Sequence, residues 1–212
     1  MKKNTRPCMS SPFVAILGGS FDPIHNGHLE LAEIVSQHIK NTEIYFVPCG
    51  NPVHRAPSIV SANNRIAMIQ SAIADQTHWH LDTYEIDNPE PSYTIKTLKY
   101  FRQRFLNHPI GFIMGMDTFL SLHTWGDWQE LLNYAHLLVV PRIGHDVSSM
   151  EHLIKNENLL HKTLNGGIIM LPVAPQSVSS TEIRKKLLTR DDVSSLIPKA
   201  VYDYIQSQNL YL

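Results

Sequence analysis

An apolar run, Phe13-Val14-Ala15-Ile16-Leu17, leads directly into Gly18-Gly19-Ser20-Phe21-Asp22-Pro23-Ile24-His25-Asn26-Gly27-His28. Leu29-Glu30-Leu31-Ala32-Glu33-Ile34-Val35 follows with helical spacing. A buried strand, a glycine turn and a helix start, in that order, predict a βα unit. The first turn of its helix offers backbone N–H groups and a positive dipole end to an anion. His25 and His28, three apart at the opening of that helix, share a face and can point at one ligand. Gly27 between them keeps side-chain bulk away from a ligand lying over the turn. The plain alternative is an ordinary βα turn with Asp22 as cap and two surface histidines.

The rest of the chain repeats this alternation. Short apolar or alternating runs at 43–48, 80–86, 109–117, 136–142 and 166–172 predict five more strands. The run at 136–142 is fully apolar and predicts a central strand. Helical spacing is found at 61–74, where Ile66, Ile69 and Ile73 share a side, and from Ser92 or Thr94 as N-cap through Leu98. It recurs at Trp128, Leu131, Leu132 and Ala135, which predict core, and at 150–164, 179–187 and 199–212. Six strands alternating with helices, without internal repeats, predict an α/β fold: a doubly wound, mostly parallel six-stranded sheet with helices on both faces.

Composition narrows the function classes. The 212 residues suit one domain, expected over 12–212, with 1–11 as a flexible leader. Lys and Arg total 18 against 19 Asp and Glu, a net charge of −1, so neither a nucleic-acid partner nor a membrane surface is expected, and any anion site is local. Two cysteines, Cys8 and Cys49, make neither a disulfide framework nor a zinc set and fit a reducing cytoplasm. No apolar run approaches the ~20 residues of a membrane span. There is no Gly-x-Gly-x-x-Gly and no Gly-Lys-Ser/Thr loop, which removes the main support for dehydrogenase and P-loop readings.

Several side chains outside the first motif are candidates for the same site. The loop 49–57 carries His54 and Arg55 after a strand end, where open α/β sheets bind ligands, although both also suit a solvated loop. Asp117 lies just past a strand end and serves as ligand contact, helix cap or both. Trp125 falls outside the local helical period; its indole either stacks on a flat ring or covers a loop. Ser179-Ser180-Thr181 caps a helix with Arg184 one turn inside, a set suited to polyphosphate or to a plain capped helix. His78 and His80 would share a strand face, but no third metal ligand accompanies them.

Taken together, Gly18 to His28, Pro52-Val53-His54-Arg55, Ser92-Tyr93-Thr94 with Thr97-Leu98, Met114-Gly115-Met116-Asp117, Thr124-Trp125 and Ser179 to Arg184 resemble the nicotinate-nucleotide (NaMN) adenylyltransferases. These belong to the nucleotidyltransferase superfamily with its His-x-Gly-His motif. The resemblance runs from about Phe13 to Leu212, and it departs from the family pattern at Ser20, Val53 and Val178. It implies a Rossmann-like fold and adenylyl transfer from ATP to nicotinate mononucleotide. It also implies that His25, His28 and Arg184 are catalytic. ATP binding would fall to Gly18, Gly19, Ser20, Phe21, His25, His28, Gly115, Asp117, Ser179, Ser180, Thr181 and Arg184. His54, Arg55, Tyr93, Thr94, Asp117 and Trp125 would bind the mononucleotide. Mg²⁺ would arrive on the ATP phosphates without a protein metal site. Homo-oligomerisation is left open. A pantetheine-phosphate adenylyltransferase lacks the Ser92-Tyr93-Thr94 and Trp125 pattern, and a class I aminoacyl-tRNA synthetase fragment would need a Lys-Met-Ser-Lys-Ser-like loop. A silent nucleotide-binding regulator would be expected to lack one of His25, His28 and Arg184.

Overall fold

The computed structural model describes residues 11–52, 57–141, 160, 162–174 and 178–211. Its strands are β1 (Phe13–Gly19), β2 (Thr42–Pro48), β3 (Trp79–Leu81), β4 (Ile110–Gly115), β5 (His136–Val140) and β6 (Ile168–Met170). They form one sheet in the order β3-β2-β1-β4-β5-β6, and every pairing is parallel. The helices are α1 (Asn26–His38), α2 (Ala62–Ile73), α3 (Tyr84–Asp87), α4 (Thr94–Arg104), α5 (Met116–Leu120), α6 (Ser180–Leu188) and α7 (Lys199–Ser207). Two 3₁₀ turns, Leu122–Thr124 and Trp128–Asn133, lie between α5 and β5.

Strand alternation divides the interior into two cores, one on each face of the sheet. Phe13, Ala15 and Leu17 of β1 face α1, α2, α6 and α7, whereas Val14 and Ile16 face α4, α5 and the 3₁₀ turns. At Gly111 a Cβ would come within 2.8 Å of Phe13 and 2.7 Å of Leu138, so side chains from β1 and β5 fill the space beside β4. The chain crosses from one face to the other between β1 and β4, the adjacent strands at which the order reverses. A crevice at the carboxyl ends of these strands is the expected ligand position.

Three local expectations are corrected. The strand expected over 80–86 stops at Leu81 because Asp82 turns the chain: its Oδ1 accepts the Tyr84 N–H at 3.0 Å and its Oδ2 accepts from Arg104 at 2.7 Å, and α3 follows. Tyr93, not Ser92 or Thr94, is the N-cap of α4; the Ser92 hydroxyl instead accepts the Asn51 N–H at 3.1 Å, clipping the segment after β2. Trp128 is 37% exposed rather than core, because the 3₁₀ winding of 128–133 replaces the α-helical period used to place it. β5 is fully buried and paired on both sides, with β4 and β6, as its apolar run predicts.

His78 and His80 both contact Glu43, at 3.1 and 2.6 Å, in a hydrogen-bonded cluster where β3 begins beside β2. The helix expected over 150–164 falls largely outside the described residues, where only Leu160 and 162–164 can be placed. Among the described residues no helix is long and apolar enough to cross a membrane.

Candidate active site

A cleft of about 660 Å³ opens at the carboxyl ends of β1 and β4. One half is built from the segment after β1 and the start of α6. His25 is the N-cap of α1, with extended backbone (φ −147°, ψ 169°) and 5% exposure, and His28 is the third residue of the helix. Their rings stack with centroids 3.7 Å apart. The His25 backbone N–H donates to His28 Nδ1 at 3.3 Å. That contact makes Nδ1 an acceptor, so the neutral ring carries its proton on Nε2. Phe21 props His28 from below, edge to face at 4.8 Å.

Gly27 lines the cleft, and it also makes room for the imidazole beside it: a Cβ there would meet the His25 ring at 3.2 Å.

The second wall approaches from far along the chain. Ser179 caps α6, its Oγ accepting the Glu182 N–H at 3.2 Å. Ser180 Oγ donates to the Pro23 carbonyl at 3.0 Å. Arg184 donates through Nη1 to the Asp22 carbonyl at 2.7 Å and through Nη2 to Thr181 Oγ1 at 3.2 Å. A guanidinium has five N–H groups, and the other three include donors that can reach an anion in the cleft, which Arg184 lines. Imidazoles, hydroxyls, a guanidinium and the first turns of two helices, with their positive dipole ends, therefore border one volume.

The other half is lined by Ser92, Tyr93, Thr94, Phe112, Met114, Gly115, Asp117, Trp125 and Gly126. Trp125 meets Phe112 edge-on at 6.3 Å. Asp117 stands in the first turn of α5, whose N-cap is Gly115. Beneath these residues lies Glu85, whose Oε1 accepts the Thr97 hydroxyl at 2.6 Å. Burial pushes the Glu85 carboxyl above its ordinary value, against opposing hydrogen bonds from Thr97, Ser92, Cys49 and the Gly50 backbone. A Cβ on Gly50 would collide with the Glu85 carbonyl, so only glycine lets the end of β2 pass this close. Burial, with Glu85 adding to it, pushes the Cys49 thiol up to about 11, which makes it a poor nucleophile.

The cleft thus gathers Gly18, Gly19, Ser20, His25, His28, Tyr93, Thr94, Gly115, Asp117, Trp125, Ser179, Ser180, Thr181 and Arg184. The Phe21 ring is fully buried and supports His28, and Phe21 is not among the residues lining the cleft. His54 and Arg55 lie outside the described residues. Sequence reasoning missed Glu85, Cys49 and the partners of Asp22. Glu85 sat inside a presumed strand, and nothing in a linear pattern marks a buried carboxylate whose donors come from three segments. Among the described residues no three His, Cys, Asp or Glu side chains cluster as a metal site.

A cytidylyltransferase-like family model matches residues 16–186. The chain is 34% identical over 207 residues to a probable nicotinate-nucleotide adenylyltransferase of Legionella pneumophila (strain Paris), spanning 93% of this chain and 98% of that one. It is 37% identical over 206 residues to the protein of the same name from Aeromonas salmonicida (strain A449), spanning 93% and 96%. The solved structure of Plasmodium falciparum nicotinic acid mononucleotide adenylyltransferase complexed with NaAD shares its fold, with a TM-score of 0.74 at 22% identity over 95% of this chain and 98% of that one.

Proposed function

The chain belongs to the cytidylyltransferase-like family and, within it, to the nicotinate-nucleotide adenylyltransferases, and we propose that its cleft carries the reaction through His28, Arg184 and the first turn of α6. The protein transfers the adenylyl group of ATP to nicotinate mononucleotide, releasing pyrophosphate and forming nicotinate adenine dinucleotide in NAD biosynthesis. An oxygen of the mononucleotide phosphate forms a bond to the α-phosphorus of ATP, and the bond from that phosphorus to the bridging oxygen of pyrophosphate breaks. The attacking phosphate is already anionic, so no general base is needed. Cys49, with its raised pKa, offers no competing covalent route.

What the chain supplies is position and charge. His28, with its Nε2 proton, donates to phosphate oxygens as negative charge moves toward the leaving group. Arg184, Ser179 and Thr181 take the outer phosphates, and the start of α6 adds its dipole. Each charged hydrogen bond contributes roughly 1.5–3 kcal/mol, and those that tighten only in the transition state raise turnover. Trp125, Thr94 and the backbone around Tyr93 take the pyridine ring. His54 and Arg55 are assigned to the mononucleotide on the family resemblance alone.

The donor set also bears on Mg²⁺. Both carboxylate oxygens of Asp22 already accept hydrogen bonds, from Ile59 N–H and Tyr211 O–H, and Glu85 is engaged by Thr97. Asp117 is the remaining carboxylate lining the cleft, so Mg²⁺ would be held chiefly by ATP phosphates and water, where it would neutralise phosphate charge.

One observation carries this reading: the hydrogen bond from Arg184 to the Asp22 carbonyl joins segments 162 residues apart into one cleft lined by donors to an anion. Pyrophosphate release, measured with ATP and either nicotinate or nicotinamide mononucleotide, tests it. Release with the nicotinate form supports the assignment; no release with it would overturn it.

A further inference from the structure

Asp22 occupies a junction that neither phosphate half nor ring half explains. It is 4% exposed, and each of its three oxygens is taken by a different segment. Its carbonyl accepts from Arg184 at 2.7 Å, Oδ2 accepts the Ile59 N–H at 2.7 Å, and Oδ1 accepts the Tyr211 hydroxyl at 2.7 Å. Tyr211 lies beyond α7 and is not among the residues lining the cleft. Burial and the Asp22 carboxylate push its phenol far above the ordinary value, so it remains a donor at any working pH.

We propose that Tyr211 is a positioning residue for adenylyl transfer: its phenol holds the Asp22 carboxylate in the orientation that lets the Asp22 carbonyl aim Arg184 into the cleft. This rests on the function proposed above.

The alternative position for that carboxylate is already present. Arg65 is 3% exposed and donates through Nη1 to the Ser20 carbonyl at 2.8 Å, while its Nε is buried with no hydrogen-bond partner among the described residues. Asp22 and Tyr211 both lie within its electrostatic reach. Without the phenol, Asp22 Oδ1 loses its donor in a buried setting, a costly state. Arg65 is the nearby donor with unused capacity. Turning toward it would swing the Asp22 peptide and move its carbonyl away from Arg184. Tyr211 thus keeps the carboxylate off Arg65 and the guanidinium on the phosphates.

Y211F deletes one hydroxyl and keeps the ring. Y204F is the matched control, since the Tyr204 hydroxyl on α7 donates to Asn64 Oδ1 at 3.1 Å on α2 rather than to Asp22. Steady-state pyrophosphate release, thermal melting and calorimetric binding of inorganic tripolyphosphate are measured on wild type and both variants. The expected result for Y211F is a rise of about tenfold in KM for ATP and a matching loss of tripolyphosphate affinity, with KM for nicotinate mononucleotide within about twofold of wild type. Y204F should melt earlier with unchanged kinetic constants. Wild-type kinetics and tripolyphosphate binding in Y211F, the same kinetic change in Y204F, or a Y211F chain that no longer folds would each overturn the proposal. A wild-type protein that binds tripolyphosphate but releases no pyrophosphate would instead overturn the assigned reaction, leaving the Tyr211 effect readable in the binding arm.

Discussion

The two halves of the cleft are built differently. On the phosphate side, Asp22 and His25 are almost fully buried, and hydrogen bonds between distant segments fix the walls: Arg184 and Ser180 to the Asp22 and Pro23 carbonyls, Asn26 N–H to the Leu196 carbonyl, and Tyr211 to Asp22. On the ring side the supports are the five-residue α5, two 3₁₀ turns and Asp127 in the left-handed region at φ 53°. Trp125 is held there by the Phe112 ring edge and a local bond from its backbone N–H to the Leu122 carbonyl at 3.0 Å, and the cross-segment hydrogen bonds of this half gather on Glu85 beneath it. Stabilising a developing charge demands donors fixed before reaction, because reorganising them would consume the gain. Recognising a flat ring demands mainly area and tolerates adjustment.

That contrast can be broken by experiment. H28A removes a donor from the fixed half and should lower kcat by about 10²–10³-fold with little change in melting temperature. Near-wild-type turnover would show that preorganisation there contributes nothing. R184A should reduce kcat/KM for ATP by about 10- to 100-fold, read in initial rates at saturating mononucleotide. W125A should do the reverse, raising KM for nicotinate mononucleotide about tenfold and that for ATP less than twofold. Equal effects of W125A on both substrates would erase the distinction between the halves. S179A should cost about 1 kcal/mol of stability in denaturant melts through the lost cap of α6.

The smallest effect concerns Glu85 and its pH dependence. Its folded-state pKa is raised above 4.5, so between that value and the raised one the folded chain binds more protons than the unfolded chain. Stability contributed by this group is therefore present below 4.5 and is lost as pH rises through the folded value. The melting temperature of E85Q relative to wild type should move in favour of the variant as pH is raised from 4.5. A gap that stays constant with pH would place the Glu85 carboxyl at its ordinary value.

Legibility in the sequence followed the range of the interactions involved. The β1 run, the His25–His28 pair and the Ser179 cap are local: spacing and residue type within a dozen positions set them, and all three are where the pattern places them. The 80–86 segment failed because its alternation looks like a strand, whereas the Asp82 side chain competes for the backbone and turns it. Trp125 and Trp128 could not be ranked from a helical period that the chain does not adopt there. Phe21 looked like part of the binding turn, but its backbone at φ 48° sends the ring under His28.

By itself the sequence determined the parallel alternation of strands and helices and the two segments that supply anion donors; the reaction class it carried only as a resemblance to a family. The first two depend on periodicity or on neighbours a few residues apart, which a linear pattern records. Only the tertiary structure decided that Arg184 bonds the Asp22 carbonyl, that Tyr211 and Ile59 share the Asp22 carboxylate, and that Glu85 gathers donors from Thr97, Ser92, Cys49 and Gly50. Those contacts join residues that burial alone brings together. A buried polar atom must take whatever partner the packing delivers, and that choice is written in three dimensions rather than along the chain.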